Sequence, residues 1–371
     1  MDALKDFLKD KSFLFALSFI LLTEIFMQIG CYKPFQKKTS YAQSVNRITD
    51  SAVKSIPILK PNILIIGTSI AYEGISAKRL NEKIKSKGLI AQSIAIPGSE
   101  LIVQELALRK FLKANPDLKY IIHVNEMHLP WVDRRTLIDS SLAMVTELNR
   151  WETLSKLDED RYVVSWKDYI YLFVRWVAYR HDIADLILKP EKRWKEFCKE
   201  IKRDKGNHYI YTNEYKQSLS PYQFSSVTEC LVKTIPGTSI PEGSDRHHLD
   251  ALHKTCKLVD ETKFTLEANE LTDLFKLRLS NFYKFIADQK IKIINVYPPV
   301  NHHLDLKDND LRREFWEKEF SASMINQKFD LSNVIPSINN EAYYYDLIHL
   351  NEKGMEIFTD ALADSLLKHA I

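Results

Sequence analysis

The stretch "NILIIGTSIAYEG", residues 62–74, decides how this chain is read. Four of the five residues from Asn62 to Ile66 are apolar, and three are β-branched isoleucines. That composition suits a strand buried on both faces of a parallel sheet. Gly67-Thr68-Ser69 then ends the run abruptly. Ser69 therefore has two readings: a nucleophile at a strand end, or the polar residue that starts the next helix.

Outward from this stretch, strands and helices alternate. "SAKRLNEKIKSKG" (76–88) predicts a helix with Leu80 and Ile84 on one face and Gly88 as its stop. "IAQSIAIPG" (90–98) predicts a second strand and a turn, and "ELIVQELALRKFLKAN" (100–115) an amphipathic helix ended by Pro116. "LKYIIHVNEMH" (118–128) predicts a third strand. The alternation implies an α/β fold with a parallel sheet covered on both faces. It is interrupted at about 131–269, a helical, aromatic-rich insertion whose 165–188 segment reads as strongly helical. It resumes with a helix (270–289), a strand (291–299), a helix at about 308–328, and a C-terminal helix from Glu352.

At the other end, "SFLFALSFILLTEIFMQIGCY" (12–32) has the length of a membrane span, with Glu24 its one charge. It reads as an uncleaved N-terminal anchor (1–32) followed by a polar stalk (33–60) that leads into a short helix. A buried or amphipathic soluble helix is one alternative, and a cleaved signal, or a lipoprotein signal ending at Cys31, is another. Three lysines on each flank leave the orientation open. A net charge of +3 with no basic stripe argues against nucleic acid as a partner. No pair of the four cysteines has CxxC spacing. Cys230 and Cys256 can pair if the body is extracytoplasmic; free core thiols are the other reading.

A serine hydroxyl needs a base, and the base needs an orienting group. "YYYDLIHLNEKG" (343–354) places Asp346 three residues before His349, just ahead of the last helix. Gly98 and Asn125 follow the second and third strands, so a backbone N–H and a side-chain amide can meet Ser69 at one sheet edge. Each residue alone has a plainer role: a helix cap, a turn, a strand-end amide. Together, in order and each at an element's end, they favour a site. The histidines at 247, 248, 253, 302 and 303 lack zinc spacing. "GTSIA" has Ala71 where a nucleophile elbow has its second glycine, and no Gly-x-Gly-x-x-Gly is present for a dinucleotide.

Ser, Gly, Asn and His in four separated blocks, the last as Asp-x-x-His, resemble the SGNH (GDSL-type) hydrolase superfamily. The likeness covers residues 62–128 and 291–370, and "DLIHLNEKG" is its most specific piece. With its N-terminal anchor it looks like the membrane-bound members that modify envelope polymers, which include alginate O-acetyltransferases and the D-alanyl-lipoteichoic-acid protein DltD. The resemblance implies a three-layer α/β/α flavodoxin-like domain over 61–371, facing the periplasm from the inner membrane. It implies a serine esterase or O-acyltransferase acting on an envelope glycan or lipid ester, without metal or other cofactor. Ser69, Asp346 and His349 would be catalytic, with Ser69, Gly98 and Asn125 as oxyanion hole. A membrane acyl-donor protein is an implied partner. Thr68, His123 and Glu126 depart from the family pattern. A catalytically inactive scaffold for envelope assembly is the alternative.

Overall fold

The quoted stretch forms β1 (Ile63–Ile66), whose four side chains are completely buried. Burying each such side chain contributes about 1.5–3 kcal/mol, so this run anchors the sheet. β2 (Ala91–Ser93) and β3 (Tyr120–Val124) flank it, and β4 (Lys292–Tyr297) and β5 (Gln327–Asp330) follow beside β3. The order is β2-β1-β3-β4-β5 and every pair is parallel. The computed structural model describes residues 10–125, 140–146, 149–203, 213–261, 270–302 and 324–369.

The chain forms two compact units: Met1–Arg47 with Arg135–His208, and Ile48–Arg134 with Tyr209–Ile371. The second unit holds the sheet. Its helices pair in two sets, Ala77–Ile84 with Glu352–Lys368, and Leu101–Ala114 with Glu270–Asp288. Right-handed crossovers explain the sets, because the chain runs from β1 to β2 in one direction and from β2 to β3 in the other. The direction reverses between β1 and β3, the switch point where open parallel sheets bind ligands at their carboxyl edge.

The first unit is helical. The apolar helix Lys11–Gln28 is followed by a 3-10 turn, Lys33–Phe35, and the start of the helix Tyr41–Leu59. The helix expected at the end of the polar stalk is Tyr41–Leu59, 19 residues long. Among the described residues, six further helices run from Ser140–Thr146 to Pro190–Arg203. The segment 165–188 is three helices, broken at Val174 and Tyr179. The first break has a physical cause. The Glu24 carboxylate accepts the backbone N–H groups of Arg175 (2.9 Å) and Trp176 (3.3 Å), and so caps a new helix start.

The compact units divide the 131–269 insertion near Tyr209, so its later part belongs with the sheet. There, helices Val227–Lys233 and Arg246–Glu261 are joined by a Cys230–Cys256 disulfide with Cα atoms 6.2 Å apart. Most of the helix expected at 308–328 lies outside the described residues, and its last two residues, Gln327 and Lys328, belong to β5.

Candidate active site

β1 is followed by Gly67, whose φ is +147° and whose notional Cβ would lie 2.8 Å from Ala71 Cβ. Only glycine fits this turn out of the strand. Thr68 then caps the helix Ser69–Gly74, its Oγ1 accepting the Ile70 N–H at 3.4 Å. The capping role belongs to Thr68, which leaves the Ser69 hydroxyl available for another partner.

That partner is His349, whose Nε2 is 2.8 Å from Ser69 Oγ. The other ring nitrogen, Nδ1, is 2.8 Å from Asp346 Oδ2 and 3.1 Å from Oδ1. Asp346 is buried, and its Oδ1 also accepts the backbone N–H groups of Ile348 (2.9 Å) and His349 (2.8 Å). A carboxylate only accepts, so it places the imidazole proton on Nδ1 and leaves Nε2 to accept from the serine O–H. The His349 side chain is 20% exposed, so the serine–histidine bond can be reached from solvent.

The turn carrying Asp346 and His349 is held from several sides. Within it, the Tyr345 N–H donates to the His349 carbonyl (2.8 Å) and the Asn351 N–H to the Tyr343 carbonyl (3.0 Å). Buried Asn213 joins it to the serine. Its Nδ2 donates to the carbonyl of Glu73 (2.9 Å), four residues after Ser69, and of Leu350 (2.6 Å), one after His349. Its Oδ1 accepts the Tyr215 N–H at 2.8 Å. A single amide thus fixes the serine's helix against the histidine's turn.

Behind Asp346, Tyr345 stacks on Tyr215 (centroids 3.9 Å apart) and on His248 (4.5 Å). His248 is fully buried, with Nε2 on the Tyr345 carbonyl and Nδ1 2.8 Å from Ser244 Oγ. A carbonyl only accepts, so Nε2 carries the proton, and burial pushes this imidazole's pKa down. His248 is therefore a neutral brace for the residue before Asp346. Burial, followed by the charges of Glu73 and Asp346, raises the Tyr215 phenol well above its usual range.

Gly98 and Asn125 reach the same sheet edge by different routes. Ile96-Pro97-Gly98-Ser99 forms a turn closed by the Ser99 N–H on the Ile96 carbonyl (3.1 Å), with Gly98 at φ +66°. Proline then glycine at positive φ is the type II pattern. The Ile96 N–H (3.0 Å) and Ser99 Oγ (3.3 Å) both donate to the Gly67 carbonyl, tying this turn to the residue two before Ser69.

Asn125 follows β3, its N–H on the Val296 carbonyl at 3.0 Å. Its buried Nδ2 has no well-formed hydrogen bond among the described residues. A buried amide donor without a well-formed acceptor can turn to one that a ligand supplies. His123 is core: Nδ1 is 2.7 Å from Tyr283 Oη, the ring meets Phe282 edge-on, and burial pushes its pKa down to about 3. The Tyr283 phenol, itself raised by burial, also lies against the Asn125 side chain. Glu126, like His303, lies outside the described residues.

The sequence reading missed Asn213 and Tyr215 and weighed His248 only as a zinc ligand, because nothing local marks a residue in an insertion as a neighbour of blocks so far away. The "DRHHLD" run did show that something polar stands there. A scan against protein-family models gives no match, and a search of curated proteins gives none either.

Proposed function

We propose that the chain is a serine esterase or O-acyltransferase of SGNH type, with a three-layer α/β/α domain, that works through an acyl-enzyme. The observation carrying this reading is the unbroken hydrogen-bonded path Ser69–His349–Asp346. The strand order supports the fold assignment. In the first step Ser69 Oγ attacks the ester carbonyl carbon while its proton passes to His349 Nε2. The Ser69 and Gly98 N–H groups and Asn125 Nδ2 receive the developing oxyanion. Collapse breaks the ester C–O bond, and His349 returns the proton to the leaving alkoxide. Water or a glycan hydroxyl then attacks the acyl carbon as its proton passes to Nε2, and collapse breaks the acyl–Oγ bond while His349 returns that proton to Ser69 Oγ. Asp346 holds the imidazole and offsets its charge throughout.

The substrate class we assign is an ester of an envelope glycan or lipid, with a membrane acyl-donor protein as partner where the reaction is transfer. The apolar helix Lys11–Gln28 supports a membrane anchor. The Cys230–Cys256 disulfide supports an oxidising compartment, hence an extracytoplasmic catalytic domain. Turnover of 4-nitrophenyl acetate by the purified chain tests the reading. Activity lost in Ser69→Ala supports it; no activity in folded wild-type protein favours the inactive scaffold.

A further inference from the structure

The apolar helix Lys11–Gln28 is not free along its whole length. Glu24 caps the helix at Arg175, as described above. One turn later Gln28 Nε2 donates to the Phe173 carbonyl (3.2 Å), and Arg150 Nη2 donates to Gln28 Oε1. Arg150 Nε reaches the Leu172 carbonyl at 2.9 Å. The turn Glu24–Gln28 is therefore docked onto the helices of its own compact unit.

That docking conflicts with a simple anchor. At about 1.5 Å per residue the part before that turn, Lys11–Thr23, reaches only about 20 Å. A bilayer's hydrocarbon core is about 30 Å thick. Lys5, Lys9, Asp10 and Lys11 exclude an apolar extension at the other end. Glu24 can lie at that depth because protein N–H groups, not lipid, surround its carboxylate. The helices that supply those groups must then enter the membrane boundary with it.

Their surfaces fit that position. Trp166 is 68% exposed, Ile187 68% and Leu188 76%, and Trp151, Tyr169 and Trp194 are also exposed. Lys167 lies over the Trp166 ring (5.9 Å) and Arg180 over Tyr171 (5.2 Å), pairing cations with aromatics as at a headgroup layer. On the helix Pro190–Arg203, exposed Lys192, Lys195 and Lys199 share one face. With Leu188, Lys189 and Trp194 they line an open depression of about 910 Å³, where four lysines outnumber two glutamates.

We infer that the helices from Arg150 to Arg203 form a platform seated in the lipid headgroup–acyl boundary, beside the docked end of the anchor and favouring anionic lipid. This rests on the anchor reading of Lys11–Gln28. The test uses the full chain with Cys31→Ser and Cys198→Ser. It is reconstituted in vesicles of phosphatidylcholine with a minor share of phosphatidylglycerol. Single cysteines carrying an environment-sensitive dye replace Leu17, Trp166, Ile187 or Asp117. Lipids bearing nitroxide quenchers at the headgroup, shallow-chain or deep-chain position report depth.

The dye at Leu17 should lose emission to the deep quencher. Those at Trp166 and Ile187 should lose it to headgroup and shallow quenchers only, and the dye at Asp117 to none. If Leu17 is quenched while Trp166 and Ile187 behave like Asp117, the platform is overturned and the anchor stands. If Leu17 escapes all quenchers, the anchor reading fails and the platform with it.

Discussion

His349 Nε2 lies 2.8 Å from Ser69 Oγ, although 280 residues separate them in the chain. Two local devices make that contact usable. Thr68 takes the helix cap, and Asp346 fixes the imidazole proton on the side away from the serine.

Removing either end of the contact should abolish turnover without unfolding the chain. Ser69→Ala and His349→Ala should each lower kcat by several orders of magnitude, up to about 10⁶-fold, as expected for a nucleophile and base that act together. The double variant should fall little further, because the pair acts as a unit. Steady-state kinetics beside circular dichroism checks this.

Asp346→Asn should also reduce kcat, since an amide facing Nδ1 no longer dictates the tautomer. Asp346→Ala should additionally cost about 1–3 kcal/mol of stability, because the Ile348 and His349 N–H groups lose their buried acceptor. Denaturant titration of the two variants separates the effects.

Asn213→Ala leaves the Glu73 and Leu350 carbonyls without their donor. The expected result is a loss of about 1–3 kcal/mol. The folded fraction should also turn over more slowly, because the serine's helix and the histidine's turn are no longer tied. Activity per folded molecule, taken from paired unfolding and rate measurements, checks this.

Asn125→Ala should lower kcat by 10²–10³-fold, on the order of one lost oxyanion donor. Stability should change little, because Nδ2 has no well-formed hydrogen bond and only its contact with the Tyr283 phenol is lost. Comparing kcat with the unfolding midpoint distinguishes this from simple core damage.

His123 is neutral when folded, its pKa pushed down to about 3 by burial, and it protonates near 6.5 when unfolded. Between those values the unfolded chain binds the extra proton. This contribution is therefore complete above pH 6.5 and is lost as pH falls toward 3. The loss runs at about 1.4 kcal/mol per pH unit. His248, also depressed, acts with the same sign. His123→Gln should flatten the slope of stability between pH 6 and pH 4 by about one proton. Urea unfolding across that range measures it.

The parallel α/β core was legible because buried parallel strands announce themselves. "NILII" and "KIINVY" are nearly continuous apolar runs, and Gly67 and Gly88 stand where chains must turn. β5 was not legible. "QKFD" alternates, exposes two of its side chains, and lies at the sheet edge, so one buried Phe329 carries its whole signal. The break at Val174 was equally hidden, since its cause is the distant Glu24 carboxylate. Ser69, Asp346 and His349 could be named because each sits in a local pattern that chemistry needs. Asn213 could not, because its value lies in bridging two carbonyls that are remote from it in sequence.

The central claim, that Ser69 is an activated nucleophile, is tested most directly by covalent capture. The full-length chain is incubated with a fluorophosphonate, and the adduct is located by peptide mass spectrometry. A single adduct on the peptide carrying Ser69, absent in Ser69→Ala and much slower in His349→Ala, is the predicted result. Folded wild-type protein that stays unmodified, or an adduct on another residue that persists in Ser69→Ala, would contradict it.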